Sequence, residues 1–336
     1  MHFRIRTKTL AVAAAGAALV ALLAGCSTSA DSATSSSSSS DEGTFAQDSN
    51  TLVFSSLPSE DGSDPNASME QYIAKETGLK TKYLPTTSYT SLIAAVLAGK
   101  VDIAAGWGAA SYTTAVAKGA KIDMIAAQYS EAGQTTPGYY SGAIVATKNA
   151  SKYQTVSQFK GKKICFVDPT STSGFFFPLL ALKAAGINVT PTGTDASGNP
   201  TFKDFTAYFA GSHPKSVQAV ASGQCDVGFA DDQAYGVANS GVVTIKDAKT
   251  AGDGLGVQLV PGAPITISTT LPKSMQTKLT KLLANLTPDQ VKAAGIDVPA
   301  SEDFLGQKAE NSSFYKQIAD GCKDPSISKA ASAVCG

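Results

Sequence analysis

The sequence predicts an α/β protein built from two units, the second inserted into the first. Three observations carry this reading. Short apolar segments alternate with helical ones from residue 51 onward. The alternation restarts after residue 142, and extended segments reappear near residue 255 ahead of a mainly helical C-terminal stretch. Such alternation predicts mainly parallel sheets flanked by helices, joined by right-handed crossovers.

The elements follow in order. Residues 51–55 read as a strand. Residues 67–77 read as a helix with Met69, Tyr72 and Ile73 on one face, stopped by Gly78. A second strand covers 81–84. Ser88 is placed to cap a helix carrying Leu92, Ile93, Val96 and Leu97, ended by Gly99. A third strand, 101–105, leads through Gly106-Trp107-Gly108 into a helix over about 111–118, and a fourth strand covers 121–127. In the second unit, strands are expected at 143–147, 163–167, 205–209 and 225–229, with helices at 175–185 and 214–221. Extended runs at 255–260 and 265–269 then return the chain to the first unit, and helix dominates from Pro272. These readings place the first unit at 51–142 and 247–336, and the second at 143–246.

Residues 1–50 read differently. Arg4, Arg6 and Lys8 precede an apolar run over 10–23, the layout of a secretory signal, and the run is short for a membrane span of about 20 residues. It closes on Leu23-Ala24-Gly25-Cys26, which resembles a bacterial lipobox. The expectation is a leader over 1–25, removed before a lipid-modified Cys26, and a protein held on the outer face of the cell membrane. Residues 26–50 are rich in Ser, Thr, Ala and Asp, with an unbroken serine run over 35–40, and read as a flexible tether.

Lys+Arg and Asp+Glu each number 27, so the formal charge is zero. Loss of Arg4, Arg6 and Lys8 with the leader makes the rest slightly acidic. Nucleic acid and anionic membrane surfaces both demand a concentrated basic face, so neither is expected as a partner. Besides Cys26 there are Cys165, Cys225, Cys322 and Cys335, an even number that favours disulfides in an exported protein. Three pairings are open. Cys322–Cys335 closes a short loop, and Cys165–Cys225 ties two predicted strands of one sheet. A metal site is disfavoured, since there is no Cys-x-x-Cys and His213 is the one histidine beyond the leader.

Sheets of this kind hold ligands beyond the carboxyl ends of their strands. The loop after the strand at 163–167 reads Asp168-Pro169-Thr170-Ser171-Thr172-Ser173-Gly174, with a helix expected from Phe175. Three consecutive hydroxyls at a helix N-terminus suit an anion without any lysine. A lone Ser-Thr-Ser would read as an ordinary Ser/Thr cap, and the similar loops that follow lift this one above it. Ser88-Tyr89-Thr90 and Ser111-Tyr112-Thr113 open helices in the first unit, and Gly211-Ser212-His213-Pro214 opens one in the second. His213 therefore falls on the rim that carries Ser171–Ser173.

Asp168 to Gly174 with Phe175 and Pro178, preceded by Gly138-Tyr139-Tyr140-Ser141 and Gly161-Lys162-Lys163 and followed by Gly211-Ser212-His213, resembles the phosphonate/phosphite-type substrate-binding proteins of ABC transporters. The likeness covers most of residues 51–284 and is strongest over 138–226. It implies a two-lobed, type II periplasmic-binding-protein fold that closes on its ligand. It also implies a phosphorus oxyanion held by Ser171, Thr172 and Ser173, by Tyr89 and Tyr139 from the facing lobe, and by His213. Trp107 and Tyr112 fall on the same rim, where packing is an equal reading. Family members that take aminoalkylphosphonates are expected to carry acids where this chain has Gln233 and Ala263. Asp231 and Asp232 stand near the first of these.

The implied function is capture of phosphite, methylphosphonate or a related phosphonate or phosphate by a monomeric lipoprotein, for delivery to an ABC permease. Another small anion such as sulfonate or sulfate is the alternative ligand. An envelope lipoprotein without a small ligand, or a hydrolase, are the other classes. No Gly-x-Ser-x-Gly elbow, Walker-type phosphate loop or cofactor motif is present, so no catalytic role and no cofactor are expected.

Overall fold

The computed structural model describes residues 41–57, 62–131, 133–245, 256–302 and 304–336. The expected leader, Cys26 and the first part of the tether lie outside the described residues. The strands and helices run β1 (Thr51–Ser56), α1 (Ala67–Thr77), β2 (Lys80–Pro85), α2 (Tyr89–Leu97), β3 (Ile103–Ala104), α3 (Ala109–Ala117), β4 (Ile122–Gln128), β5 (Gly138–Ala146) and β6 (Lys163–Phe166). They continue with α4 (Phe177–Ala184), β7 (Pro191–Thr194), β8 (Pro200–Phe202), β9 (Thr206–Phe209), α5 (His213–Ser222), β10 (Val227–Asp231), α6 (Asp232–Tyr235), β11 (Val242–Thr244), β12 (Val257–Pro261) and β13 (Pro264–Ser268). The chain ends with α7 (Lys273–Leu283), α8 (Pro288–Ala293), β14 (Gln307–Ala309), α9 (Lys316–Gly321), α10 (Pro325–Ala330) and α11 (Ser332–Cys335).

Two six-stranded sheets organise these elements. The first has the order β14-β4-β13-β3-β1-β2. The second has the order β11-β5-β10-β6-β9, with β12 also on β5. Strands β1, β2 and β3 pair in parallel, and β4 points the same way because β13 lies antiparallel between it and β3. In the second sheet β10, β6 and β9 are parallel, and β5 runs against β10, β11 and β12. The prediction of mainly parallel sheets thus holds for strand direction but misses one feature. Each sheet contains the strand by which the chain enters from the other, and that strand is reversed; β14, on the edge of the first sheet, also runs against β4.

This topology moves the expected boundaries. The second unit is expected at 143–246, but the second sheet runs from Gly138 to Pro261. Strand β12 pairs with β5 rather than joining the first sheet. The chain crosses back at Gly262-Ala263, where the flanking Pro261 and Pro264 cannot donate amides to continue one strand.

Residues 41–50, expected in the tether, are docked on the first sheet. The Thr44 amide donates to the Thr270 carbonyl at 2.7 Å. The buried Asp102 carboxylate takes the Ala46 and Val53 amides, each at 2.9 Å. Composition conceals this because backbone amides and one remote carboxylate make the attachment.

The core of the second sheet is aromatic. Phe166 meets Phe175 edge-on at 5.3 Å and stacks on Phe229 at 5.9 Å between centroids, each burial being worth about 1.5–3 kcal/mol. Cys165 is bonded to Cys225, tying β6 to the segment that leads into β10, and Cys322 is bonded to Cys335. The C-terminal helices contribute Ile318, Ile327 and Val334 to the cluster that holds Ala110 and Ala115 of α3.

Candidate ligand-binding cleft

Strand direction explains why one rim collects the polar residues. β2, β3, β6, β9 and β10 all deliver their carboxyl ends there. β5 is reversed, so its first residues, Gly138 and Tyr139, arrive at the same rim.

The turn after β6 is built by local hydrogen bonds. Asp168 Oδ1 accepts from the Thr170 amide and hydroxyl at 2.8 and 2.7 Å, and the Ser171 hydroxyl accepts the Gly174 amide at 3.0 Å. The chain then makes one wide turn over Thr172–Phe176, in which the Phe177 amide reaches back to the Thr172 carbonyl, before α4 begins. Such i→i+5 turns occur often at functional sites. The sequence reading starts the helix at Phe175 and so misses this turn. Gly174 is obligatory, since a Cβ there lies 2.3 Å from the Val167 side chain.

Around this turn the predicted residues converge. Ser171, Thr172 and Ser173 are buried. The Ser171 side chain neighbours the Tyr89 hydroxyl, and those of Ser173 and Thr172 neighbour the Tyr139 hydroxyl. Burial pushes both phenols well above the ordinary tyrosine range, so they act as neutral hydrogen-bonding groups. Tyr89 faces the turn from the first sheet, held at the first position of α2 by the Ser88–Ser91 capping box. Tyr139, expected on the facing side, lies on β5 of the same sheet as the turn.

His213 opens α5 and is positioned by two contacts. Its Nδ1 accepts the Asp231 amide at 2.9 Å, so the ring proton of the neutral form sits on Nε2. That Nε2 lies 3.3 Å from both the Ser173 hydroxyl and Asp231 Oδ2. Burial lowers the histidine pKa, partly opposed by the Asp231 charge, so the ring is neutral near pH 7.

Contacts also cross between the sheets. The Ala110 amide, in the first turn of α3, donates to the Thr172 hydroxyl at 2.8 Å. The Ser111 hydroxyl donates to the Thr170 carbonyl at 2.9 Å. Gly108 permits this approach, because a Cβ there lies 2.5 Å from the Thr172 hydroxyl.

A cleft of about 270 Å³ adjoins the turn. Tyr89, Trp107, Tyr139, Asp231, Gln233 and Ala263 line it, together with Gln128, Asn66 and Glu302. The three hydroxyls stand one layer behind, in contact with Tyr89 and Tyr139. Trp107 is fully buried and its indole N–H has no hydrogen-bond partner among the described residues. Tyr112 packs between Trp107 and Tyr315 and is not among the lining residues. Asp232 is not among them either. Its Oδ1 accepts the Tyr140 amide at 3.1 Å, and burial pushes its pKa up to about 6. Gln128, Asn66 and Glu302 were missed by sequence reasoning, as each comes from a segment with no recognisable motif. Glu302 joins the rim through a long-range contact, its carboxylate accepting the Ser68 amide at 3.0 Å. Among the described residues no lysine lines the cleft, and no arginine follows Arg6 in the sequence.

Two α/β sheets, each completed by a reversed strand from the other, with a polar cleft at their shared rim, define a type II periplasmic binding protein. The family model for periplasmic phosphonate substrate-binding proteins of ABC transporters matches residues 53–305, and the chain belongs to that family. The phosphate-import protein PhnD of Mycolicibacterium smegmatis is 35% identical over 185 residues. That match covers 54% of this chain and 55% of the relative, so the chain spans about half the relative's length. PhnD1 of Prochlorococcus marinus, solved with methylphosphonate, is 16% identical, with a TM-score of 0.59 over 82% of this chain and 97% of that one. The alkanesulfonate-binding protein SsuA of Xanthomonas axonopodis pv. citri, bound to MOPS, is also 16% identical, with a TM-score of 0.52 over 85% and 94%. At such identities the two structures speak to the fold alone. The family is one of extracytoplasmic transport proteins rather than enzymes. Among the described residues, no helix is long and apolar enough to cross a membrane, and no group of His, Cys, Asp or Glu is arranged to hold a metal.

Proposed function

We propose that this protein captures a small phosphorus oxyanion (phosphite, methylphosphonate or a related phosphonate or phosphate) and delivers it to an ABC permease. The observation that carries this reading is the Ser171-Thr172-Ser173 turn, three buried hydroxyls facing neutral donors and the amino end of α3. An oxyanion at this turn takes the hydroxyls, the His213 Nε2–H and the Tyr89 and Tyr139 phenols as partners. Those groups then exchange bonds among themselves for bonds to the ligand. Bonds of this kind, to a charged acceptor, are worth about 1.5–3 kcal/mol each. The first lobe (51–142 and 247–336 on the sequence reading) and the second (143–246), with the crossing points moved to the sheet limits above, part to admit the ligand and close on it. Contacts from both sides shift the population to the closed form.

The protein works as a monomer outside the cytoplasm, attached through a lipid on Cys26, and binds no nucleic acid. Calorimetric titration with phosphite, methylphosphonate, phosphate, sulfate and 2-aminoethylphosphonate tests the ligand assignment. Saturable binding of a phosphorus oxyanion supports it, and binding of sulfate alone overturns it. Cys26→Ser tests the anchor, which is refuted if the protein stays in the membrane fraction.

A further inference from the structure

The cleft carries negative charge where the proposed ligand is itself an anion. Among the described residues Asp231 and Glu302 line it and no lysine does, and no arginine follows Arg6. His213 does not neutralise Asp231, since the neutral ring donates from Nε2 and accepts the Asp231 amide at Nδ1. Asp231 closes β10 and caps α6, with Oδ1 accepting the Ala234 amide at 3.0 Å. Its Oδ2 lies 3.3 Å from the nitrogen that also stands 3.3 Å from the Ser173 hydroxyl. Ser173 and Asp231 therefore lie within two hydrogen-bond lengths of each other, a span that one tetrahedral oxyanion covers. An ionised carboxylate only accepts hydrogen bonds. Against a bare oxyanion oxygen it is repulsive, and against a P–OH it is a strong charge-assisted acceptor.

We infer that Asp231 is the specificity-determining residue that accepts the proton of a P–OH group, so that the cleft selects oxyanions carrying a proton and rejects those that carry none. The monoanions of phosphite and methylphosphonate carry one such proton, and that of phosphate carries two. Sulfate and methanesulfonate are fully deprotonated near neutral pH and have nothing to donate. This inference rests on the oxyanion reading above and deepens it. It accounts for how a fold shared with an alkanesulfonate-binding protein separates ligands of nearly equal size and shape.

The test is calorimetric titration of wild-type protein and Asp231→Asn with phosphate, phosphite, methylphosphonate, sulfate and methanesulfonate. Wild type should prefer methylphosphonate over methanesulfonate by ~100-fold or more, since a site built around one hydrogen bond rejects the analogue that lacks it. Asp231→Asn can donate an N–H to an unprotonated oxygen. Its preference should shrink at least ~10-fold, mainly through tighter methanesulfonate binding. Uniform weakening of every ligand with selectivity intact would make Asp231 only a support for His213 and overturn the inference. Equal binding of methylphosphonate and methanesulfonate by wild type overturns it without any variant, while leaving the oxyanion reading intact. Binding of none of the five overturns both.

Discussion

Thr172 lies in the turn after β6 of the second sheet and Ala110 in the helix after β3 of the first, and the Thr172 hydroxyl accepts the Ala110 amide at 2.8 Å in a buried setting. One side chain of the proposed oxyanion turn therefore also joins the two halves of the molecule. Thr172→Val keeps the shape but leaves that amide without an acceptor, a loss of about 1–3 kcal/mol. The variant should unfold at lower urea concentration and bind methylphosphonate ~10- to 100-fold more weakly. Thr172→Ser should restore both properties. Lowered stability with normal affinity would make Thr172 a structural bridge only.

Trp107 presents the opposite case, a buried donor with nothing to bond. An orphan indole N–H at a cleft wall costs about 1–3 kcal/mol unless something satisfies it. Trp107→Phe retains a packed ring beside Tyr112 and removes the N–H. The unliganded variant should melt at or slightly above the wild-type temperature while its affinity for methylphosphonate falls ~10-fold. Unchanged affinity would assign Trp107 to packing with Tyr112.

Much of this arrangement was legible in the sequence because it is local. The Ser171–Ser173 turn, the Ser88 cap that places Tyr89, and His213 at the start of a helix all follow from residues adjacent in the chain. What the sequence concealed depends on chain reversal and distance. Nothing near Tyr139 announces that β5 runs backward, so its phenol was expected on the facing side. The wide turn over Thr172–Phe176 replaces a simple helix start because Gly174 lets the backbone press against Val167. Glu302 reaches the cleft from a C-terminal segment through its contact with Ser68.

The two disulfides should differ in consequence. Cys165–Cys225 spans 60 residues and is buried, whereas Cys322–Cys335 spans 13 and is partly exposed. Loop-closure entropy assigns about 4 kcal/mol to the first and about 3 kcal/mol to the second. Mild reduction of the folded protein should open Cys322–Cys335 first, as mapped by alkylation and mass spectrometry. Replacing Cys165 and Cys225 together by serine should lower the urea midpoint more than replacing the other pair. The reverse order would show that the β6 contact holds its geometry without the covalent link.

Glu70 sets a pH dependence opposite to that of His213. It lies buried on α1, one carboxylate oxygen lacking a partner among the described residues. Burial, then a hydrogen bond to Asp64 and the charges of Asp64 and Glu302, pushes its pKa from 4.5 up to about 9. Between those values the folded state holds a proton that the unfolded chain has released. The stabilisation is therefore complete below about pH 4.5 and is lost as pH rises through about 9. His213 has the opposite sign, because burial lowers its pKa from 6.5 and stability falls as pH drops below that value. Asp232, raised to about 6, shares the sign of Glu70 but saturates earlier. Glu70→Gln keeps a neutral group of the same shape at every pH. Its melting temperature should match wild type at about pH 5 and exceed it increasingly toward about pH 9. Parallel melting profiles for the two proteins across that range would mean that Glu70 is ionised in the folded state and that its neighbours, not its proton, accommodate the burial.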